Sequence, residues 1–240
     1  FCIASNIFFS PLYDKQQETQ QVLSEIAEIT NSTFIWSQGK LKIIPLGDET
    51  ISDNGKTYTP DLTPIYDLSE DDFLCGDGDE PISCSRKSQS DVKNSVKIEY
   101  LNRTNNYNTE IAEAQDLANI SQFGLNPADV ITARQICTQE VAQRAAETAL
   151  ARNIAIRNVY SFKLPYRYVL LDCMDLVTLT SERLGLNRQL VKITSIKENE
   201  GQLEIEAEEM IVGTATPAKY TSQNASFQSI DTATSVGNIN

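Results

Sequence analysis

The run Glu198-Asn199-Glu200-Gly201-Gln202-Leu203-Glu204-Ile205-Glu206-Ala207-Glu208 decides how the rest of the chain is read. Leu203, Ile205 and Ala207 alternate with Glu204, Glu206 and Glu208. Successive side chains of a strand point to opposite faces, so this pattern predicts a strand with one buried face. Turn-forming residues precede it, and residues 190–197 alternate in the same way, which predicts a hairpin. Further back, strands are predicted over residues 175–180 and 158–164. An alanine-rich helix over residues 140–153 feeds the first of them, with Thr138 as its N-cap. Glu140 in its first turn and Arg152 in its last suit the helix dipole. Glu140 and Arg144 stand one helical turn apart as an ion pair. Ala142, Ala145, Ala146, Ala149 and Ala151 leave room for close approach to a sheet. One helix feeding a small antiparallel sheet or barrel is a scaffold, and it holds no obvious reaction centre.

Outward from that unit, three more hairpins are expected. Residues 15–30 form a helix with Asp14 as N-cap and Gln17 as its capping-box partner. Val22, Leu23, Ile26 and Ile29 make its apolar stripe. Phe34 and Trp36 alternate on one side of Gln38-Gly39, and Leu41 and Ile43 on the other, so a hairpin is expected to cover the helix with its apolar face. Asp53-Asn54-Gly55-Lys56 marks a type I′ turn. Residues 95–101 and 107–111 form the third hairpin, and residues 113–123 suit a helix stopped by Gly124. From 213 onward the chain is Thr, Ala, Ser, Gln and Asn, too poor in apolar surface to offset its ordering entropy. The fold class is α+β, mainly antiparallel β with small tube-like barrel or sheet domains and two or three packed helices. Residues 1–130 read as a helix-plus-hairpins domain, 131–212 as a helix followed by a barrel-like domain, and 213–240 as an extended linker or arm.

Composition removes several classes of function. The 20 basic and 33 acidic residues give a formal charge of −13, and an acidic surface repels phosphate backbones, so stable nucleic-acid binding is not expected. Histidine is absent, which excludes Ser-His-Asp and Cys-His catalysis and the commonest zinc ligand. The five cysteines lack a paired spacing and read as free thiols. No apolar run is long enough to span a membrane, and no signal peptide is visible. Phe1-Cys2-Ile3-Ala4 reads like mid-domain sequence, so a longer polypeptide is expected. Phosphate-loop, dinucleotide and nucleophile-elbow motifs are missing. The acidic loop over residues 69–81 contains Asp77-Gly78-Asp79-Glu80, whose spacing does not suit a calcium loop. Two carboxylate pairs invite a hydrolase reading: Glu25 with Glu28 on an exposed helix face, and Asp71 with Asp72 in a polar loop. Neither context supplies the burial that raises a carboxyl pKa for acid catalysis. No enzyme activity, catalytic residue, cofactor or metal site is therefore expected. An exposed aromatic platform for a receptor or carbohydrate would draw on Trp36, Tyr58, Tyr66, Tyr166 and Tyr168, although their alternation with apolar partners favours core or interface positions.

Several phrases carry a resemblance: Leu23 to Ser32, Trp36 to Asp48, Tyr58 to Leu68, Asn94 to Tyr100, Tyr107-Asn108, and Met174 to Thr180. In these the chain resembles the putative phage tail protein family, which includes the large tail-hub proteins of long-tailed phages and of gene transfer agents. It is more distantly similar to the trimeric baseplate hubs of contractile tails. The resemblance covers most of residues 1–212 and carries no catalytic signature. Asp172-Cys173-Met174-Asp175 departs from the family phrase, which has proline followed by glycine or methionine before the last aspartate. The resemblance implies a three-fold ring that continues the tail tube within the virion. Its implied partners are the distal tail, tail tube and tape-measure proteins and the host-recognition assembly. In that setting an acidic lumen would not retain passing DNA.

Overall fold

The computed structural model describes residues 1–11, 16, 18–76 and 80–213. In chain order the elements are α1 (Thr19–Ile29), β1 (Ser32–Ser37), β2 (Lys40–Pro45), β3 (Ile51–Asp53), β4 (Lys56–Tyr58), β5 (Tyr66–Leu68), β6 (Ile82–Arg86), β7 (Ser95–Asn102) and β8 (Asn108–Gln115). There follow α2 (Leu117–Phe123), β9 (Ile131–Thr132), α3 (Gln139–Ala155), β10 (Asn158–Pro165), β11 (Leu176–Ser181), β12 (Leu186–Asn199) and β13 (Gln202–Glu209). The fold is α+β, with mostly antiparallel sheets.

The larger sheet has the order β5-β11-β12-β13-β10-β6, antiparallel throughout except for β5 beside β11. Leu203, Ile205 and Ala207 face inward and meet Val191, Ile193, Val177, Leu179, Phe162 and Leu164, while the intervening glutamates face out. At the β12–β13 turn Glu200 and Gly201 both take positive φ, 50° and 76°, which matches the right-handed twist of the strands. Asn54 and Gly55 do the same between β3 and β4. Among the described residues the sheet does not close into a barrel: its outermost strands, β5 and β6, pair only inward. Both are short, at three and five residues, and short outer strands end a sheet without inviting further pairing.

The second core is a β8-β7-β9 sheet covered by α3. The alanine stripe does what its size allows: Ala142 and Ala146 are fully buried against the β7–β8 sheet, where Val96, Ile98 and Tyr100 of β7 and Ala112 and Ala114 of β8 complete the layer. Thus α3 covers strands that precede it and not those it feeds. Thr138 stands at its N-cap without a side-chain bond, and Arg144 turns away from Glu140 to donate to the Ser5 carbonyl.

Local departures from the sequence expectations have local causes. Residues 113–115 belong to β8 and not to a helix, because ladder pairing reaches Gln115 opposite Ser95. Asp116 then caps α2, accepting from the Ala118 and Asn119 amides at 3.0 and 3.1 Å. Gly124 follows as the C-cap. The expected cap Asp14 and its partner Gln17 lie outside the described residues, as do Asp77 and Asp79 of the acidic loop and residues 214–240 of the expected arm.

Candidate interaction surface

The β1–β2 hairpin pairs Phe34 with Ile43 and Trp36 with Leu41. Directly opposed residues share a face, so these four form one apolar surface. That surface was expected to cover α1. Instead Trp36 is 73% exposed and Ile43 61%, with Leu41 exposed beside them. The reverse face of the hairpin is the one held to the protein. Ser37 Oγ donates to Asp172 Oδ2 at 2.5 Å, and Lys42 Nζ donates to Ser37 Oγ at 2.8 Å. Lys42 also pairs with Asp172 at 3.3 Å. Asp172 sits in the turn before β11, where its amide donates to Asp175 Oδ2 at 2.7 Å. Burial pushes the Asp175 carboxyl up, the charge of Asp172 adds to that, and Lys42 works against it. Met174 in the same turn has φ 74°, in the left-handed region that glycine enters most readily.

A second apolar surface surrounds α2. Leu117 is 71% exposed, and Phe123 and Leu125 are exposed after it. Leu117 stands at the mouth of a groove of about 630 Å³ between the end of β8 and α3. Ala114, Leu150, Ala151 and Ile154 give this groove its apolar lining.

The residues singled out from sequence do not converge on a reaction centre. Of the five aromatic candidates, Tyr168 is buried, and it packs edge-on against Tyr66 with ring centroids 5.1 Å apart. Tyr58 meets Phe1 edge-on and donates to the Gly47 carbonyl. Trp36 and Tyr166 are the two that lie open. Glu25 accepts from Gln135 Nε2 at 2.6 Å, tying α1 to the loop before α3. Burial, then the charge of Glu25, raises the Glu28 carboxyl. Glu28 borders a cleft of about 320 Å³ between α1 and α3, which Glu208 reaches from β13. Glu208, however, is paired with Arg152 at 3.7 Å, and the cleft is lined by salt-bridging and helix-surface groups, so it reads as a charged seam. Asp72 is equally committed: burial works upward on its carboxyl, but bonds from Tyr168 and Ser69 and the charge of Arg167 outweigh it and hold the pKa low. Arg144 and Arg152, on the charged face of α3, serve as ties to Ser5 and Glu208. Among the described residues no cluster of three or more His, Cys, Asp or Glu groups is arranged for a metal, and no helix is long and apolar enough to cross a membrane.

Sequence reasoning named all four residues of the hairpin surface, but it met Asp172 only within the departing phrase before β11 and not as the anchor that fixes their orientation. It passed over the groove at Leu117 too, because its walls come from two separate segments.

Comparison with known proteins bears on this arrangement. Among solved structures, a chain in the virion of a native gene transfer agent particle superposes with TM-score 0.65 at 17% identity, over 86% of this chain and 43% of that one. A tail protein from Neisseria meningitidis MC58 gives TM-score 0.54 at 13% identity, over 86% of this chain and 60% of that one. The 43 kDa tail protein of prophage MuSo2 from Shewanella oneidensis gives 0.51 at 16% identity, over 83% and 56%. Identities this low establish a shared fold, and the chain spans only 43% to 60% of the length of these three proteins. Curated protein sequences give no match. Residues 18–196, well over half of the chain, match the model of the family described as putative phage tail protein, and the chain belongs to that family.

Proposed function

We propose that the chain is a non-enzymatic structural segment of a tail hub or tail tip, in a phage, a prophage or a gene transfer agent. In this reading it forms part of a three-fold ring that closes the tail tube and joins it to the host-recognition apparatus. Its partners are further copies of the chain and the distal tail, tail tube and tape-measure proteins. The observation that carries the reading is the outward apolar face of the β1–β2 hairpin, anchored from behind by Ser37, Lys42 and Asp172. A rigidly held apolar face without a cavity suits contact with another protein and offers nothing to a reacting small molecule. Family membership and the fold shared with a gene transfer agent virion chain support the same conclusion. A receptor- or carbohydrate-binding module is less well supported, since Tyr66 and Tyr168 are turned into the protein and no aromatic platform assembles among the described residues. The net charge of −13 suits a wall past which DNA travels.

Gold-labelled antibody against the chain, imaged on purified tails, tests this. Label at the tip supports the hub reading. Label along the shaft, or tails whose peptide mass spectrum lacks the chain, would refute it.

A further inference from the structure

We infer that the chain carries a hinge between its two cores, with its pivot at Arg157 and a latch where Arg152 of α3 meets Glu208 of β13.

The two apolar clusters share no residue. One unit holds α1, α3 and the β8-β7-β9 sheet, with Ile29 of α1 inside its core. The β3–β4 hairpin belongs to this unit, since Asn54 Nδ2 donates to the Ile3 carbonyl at 3.0 Å and Tyr58 packs on Phe1. The larger sheet is the other unit. The chain crosses between them over residues 59–65, 87–94 and 156–157. Arg157 fastens two of these crossings to each other. Its Nε donates to the Ile154 carbonyl and its Nη1 to Gln89 Oε1, each at 3.0 Å. Its own carbonyl accepts from the Lys87 amide at 2.9 Å. Rotation about this point keeps those bonds. The remaining crossing, 59–65, lies outside helix and strand and bends with the motion.

Beside the pivot the two units meet through charge. Arg152 pairs with Glu208 at 3.7 Å, and Glu208 stands opposite the half-buried Lys192 in the β12–β13 ladder. Burial pushes the Lys192 amine down, Glu208 opposes that, Arg152 adds to it and Asp48 works against it, so groups from four separate segments face one another here. The cleft of about 320 Å³ lies along the same seam, bordered by Glu28 on α1, Lys87 at a crossing and Glu208 on the sheet. Interiors that move as one body are close-packed, whereas a polar contact with open space beside it leaves two domains free to turn. The β1–β2 hairpin supplies a second tie, because Ser37 and Lys42 come with the first unit and Asp172 with the second. Ser37 stands five residues along β1 from Ser32 at the cleft, a distance of about 16 Å, so this tie holds the seam well beyond the cleft.

Electron–electron distance measurements between spin labels test the hinge. One label sits on the exposed native Cys84 of the larger sheet and the other on Leu117→Cys, at an exposed position of the first unit. The background carries Cys2→Ser, Cys75→Ser and Cys173→Ser, and Cys137 is buried. A control pair, Cys84 with Lys197→Cys, lies wholly within the larger sheet. Glu208→Arg sets a third positive charge against Arg152 and Lys192, and like charges repel. The expected result is a second, longer distance between the units while the control pair keeps its single distance. Adding Asp172→Ala should raise the share of the longer distance. Combining Glu208→Arg with Arg152→Glu restores an attractive pair and should return the short distance alone. Circular dichroism checks that each variant folds. An inter-unit distance unchanged in Glu208→Arg and in its combination with Asp172→Ala overturns the inference. A control pair that broadens alongside the inter-unit pair reports general loosening and overturns it too. Failure of the charge swap to restore the short distance removes Arg152 and Glu208 as the latch.

Discussion

Asp172→Ala should release the β1–β2 hairpin without loosening the sheet behind it. The substitution removes the bond from the buried Ser37 hydroxyl to a charged acceptor at 2.5 Å. A bond of that kind contributes about 1.5–3 kcal/mol. The Lys42–Asp172 pair, with both side chains more than a third exposed, adds only about 0–1 kcal/mol. Two effects offset part of the loss. Ser37 keeps its bond from Lys42, so no buried hydroxyl is orphaned, and Asp175 is freed of a neighbouring negative charge. A net cost of about 2 kcal/mol, at 1.4 kcal/mol per factor of ten, corresponds to roughly 30-fold more frequent opening of the hairpin. Amide hydrogen exchange resolves this segment by segment. Amides of β1 and β2 should exchange roughly 30-fold faster while those of β12 and β13 keep their wild-type rates. Unchanged hairpin exchange would falsify the claim that Asp172 fixes its orientation. Equal acceleration everywhere would show that the anchor belongs to the global fold and not to the hairpin.

Ala146→Leu should cost about 1–3 kcal/mol, because Ala146 is fully buried between α3 and β7 and added methylenes have no space there. Ala151→Leu, on the half-exposed groove side of the same helix, should stay within about 0.5 kcal/mol in the same urea titration. Tyr100 is buried and donates to Glu110 at 2.9 Å; burial first, then the bond to Glu110 and its charge, push the phenol up to about 12. A raised folded value means stability that is complete below the unfolded pKa of about 10 and disappears as pH climbs toward about 12. Tyr100→Phe should therefore flatten the alkaline limb of an unfolding-versus-pH profile, and an unchanged limb would assign it to another group. At the acid end the signs reverse. Bonds from Thr178 to Asp67, from Ser181 to Glu70, from the Asn105, Asn102 and Tyr100 side chains to Glu110, and from Gln115 to Glu113 hold these carboxyls low. Their contribution is present above the unfolded carboxyl value of about 4 and is lost as pH falls through the folded values, so the denaturation midpoint should drop on acidification below that point. A midpoint flat across the acid range would contradict these bonds.

Pattern within a segment was legible, and pairing between distant segments was not. The alternation in residues 190–208 specified β12, β13 and their turn, since every interaction involved is local. Nothing local tells Tyr66 to lie beside Val177, or Cys84 beside Tyr160, and those pairings make β5 and β6 the ends of the larger sheet. The alanines of α3 declared a close helix–sheet contact, yet their spacing is equally suited to the strands before the helix and after it. Packing against β7 wins because Val96, Ile98 and Tyr100 present an inward apolar face that Ala142 and Ala146 join in one core.

The hairpin shows where sequence reasoning and fold diverge in an informative way. Phe34/Trp36 and Leu41/Ile43 alternate as clearly as Leu203/Ile205/Ala207, and the same argument demands burial for both sets. In β13 the demand is met within the chain, because strands flank it on both sides and carry matching apolar rows. Among the described residues β1 and β2 have no third strand, and the reverse face of the pair is claimed by an aspartate 135 residues from Ser37. An isolated two-stranded hairpin is marginal in water, so holding one rigidly with Trp36 outward stabilises an arrangement that single-chain folding does not reward. The alternation therefore identified the apolar face but not its surroundings, since Trp36, Leu41 and Ile43 stay exposed. Ser37 and Lys42 commit the opposite face of the pair to Asp172, so turning Trp36 toward α1 would break that anchor.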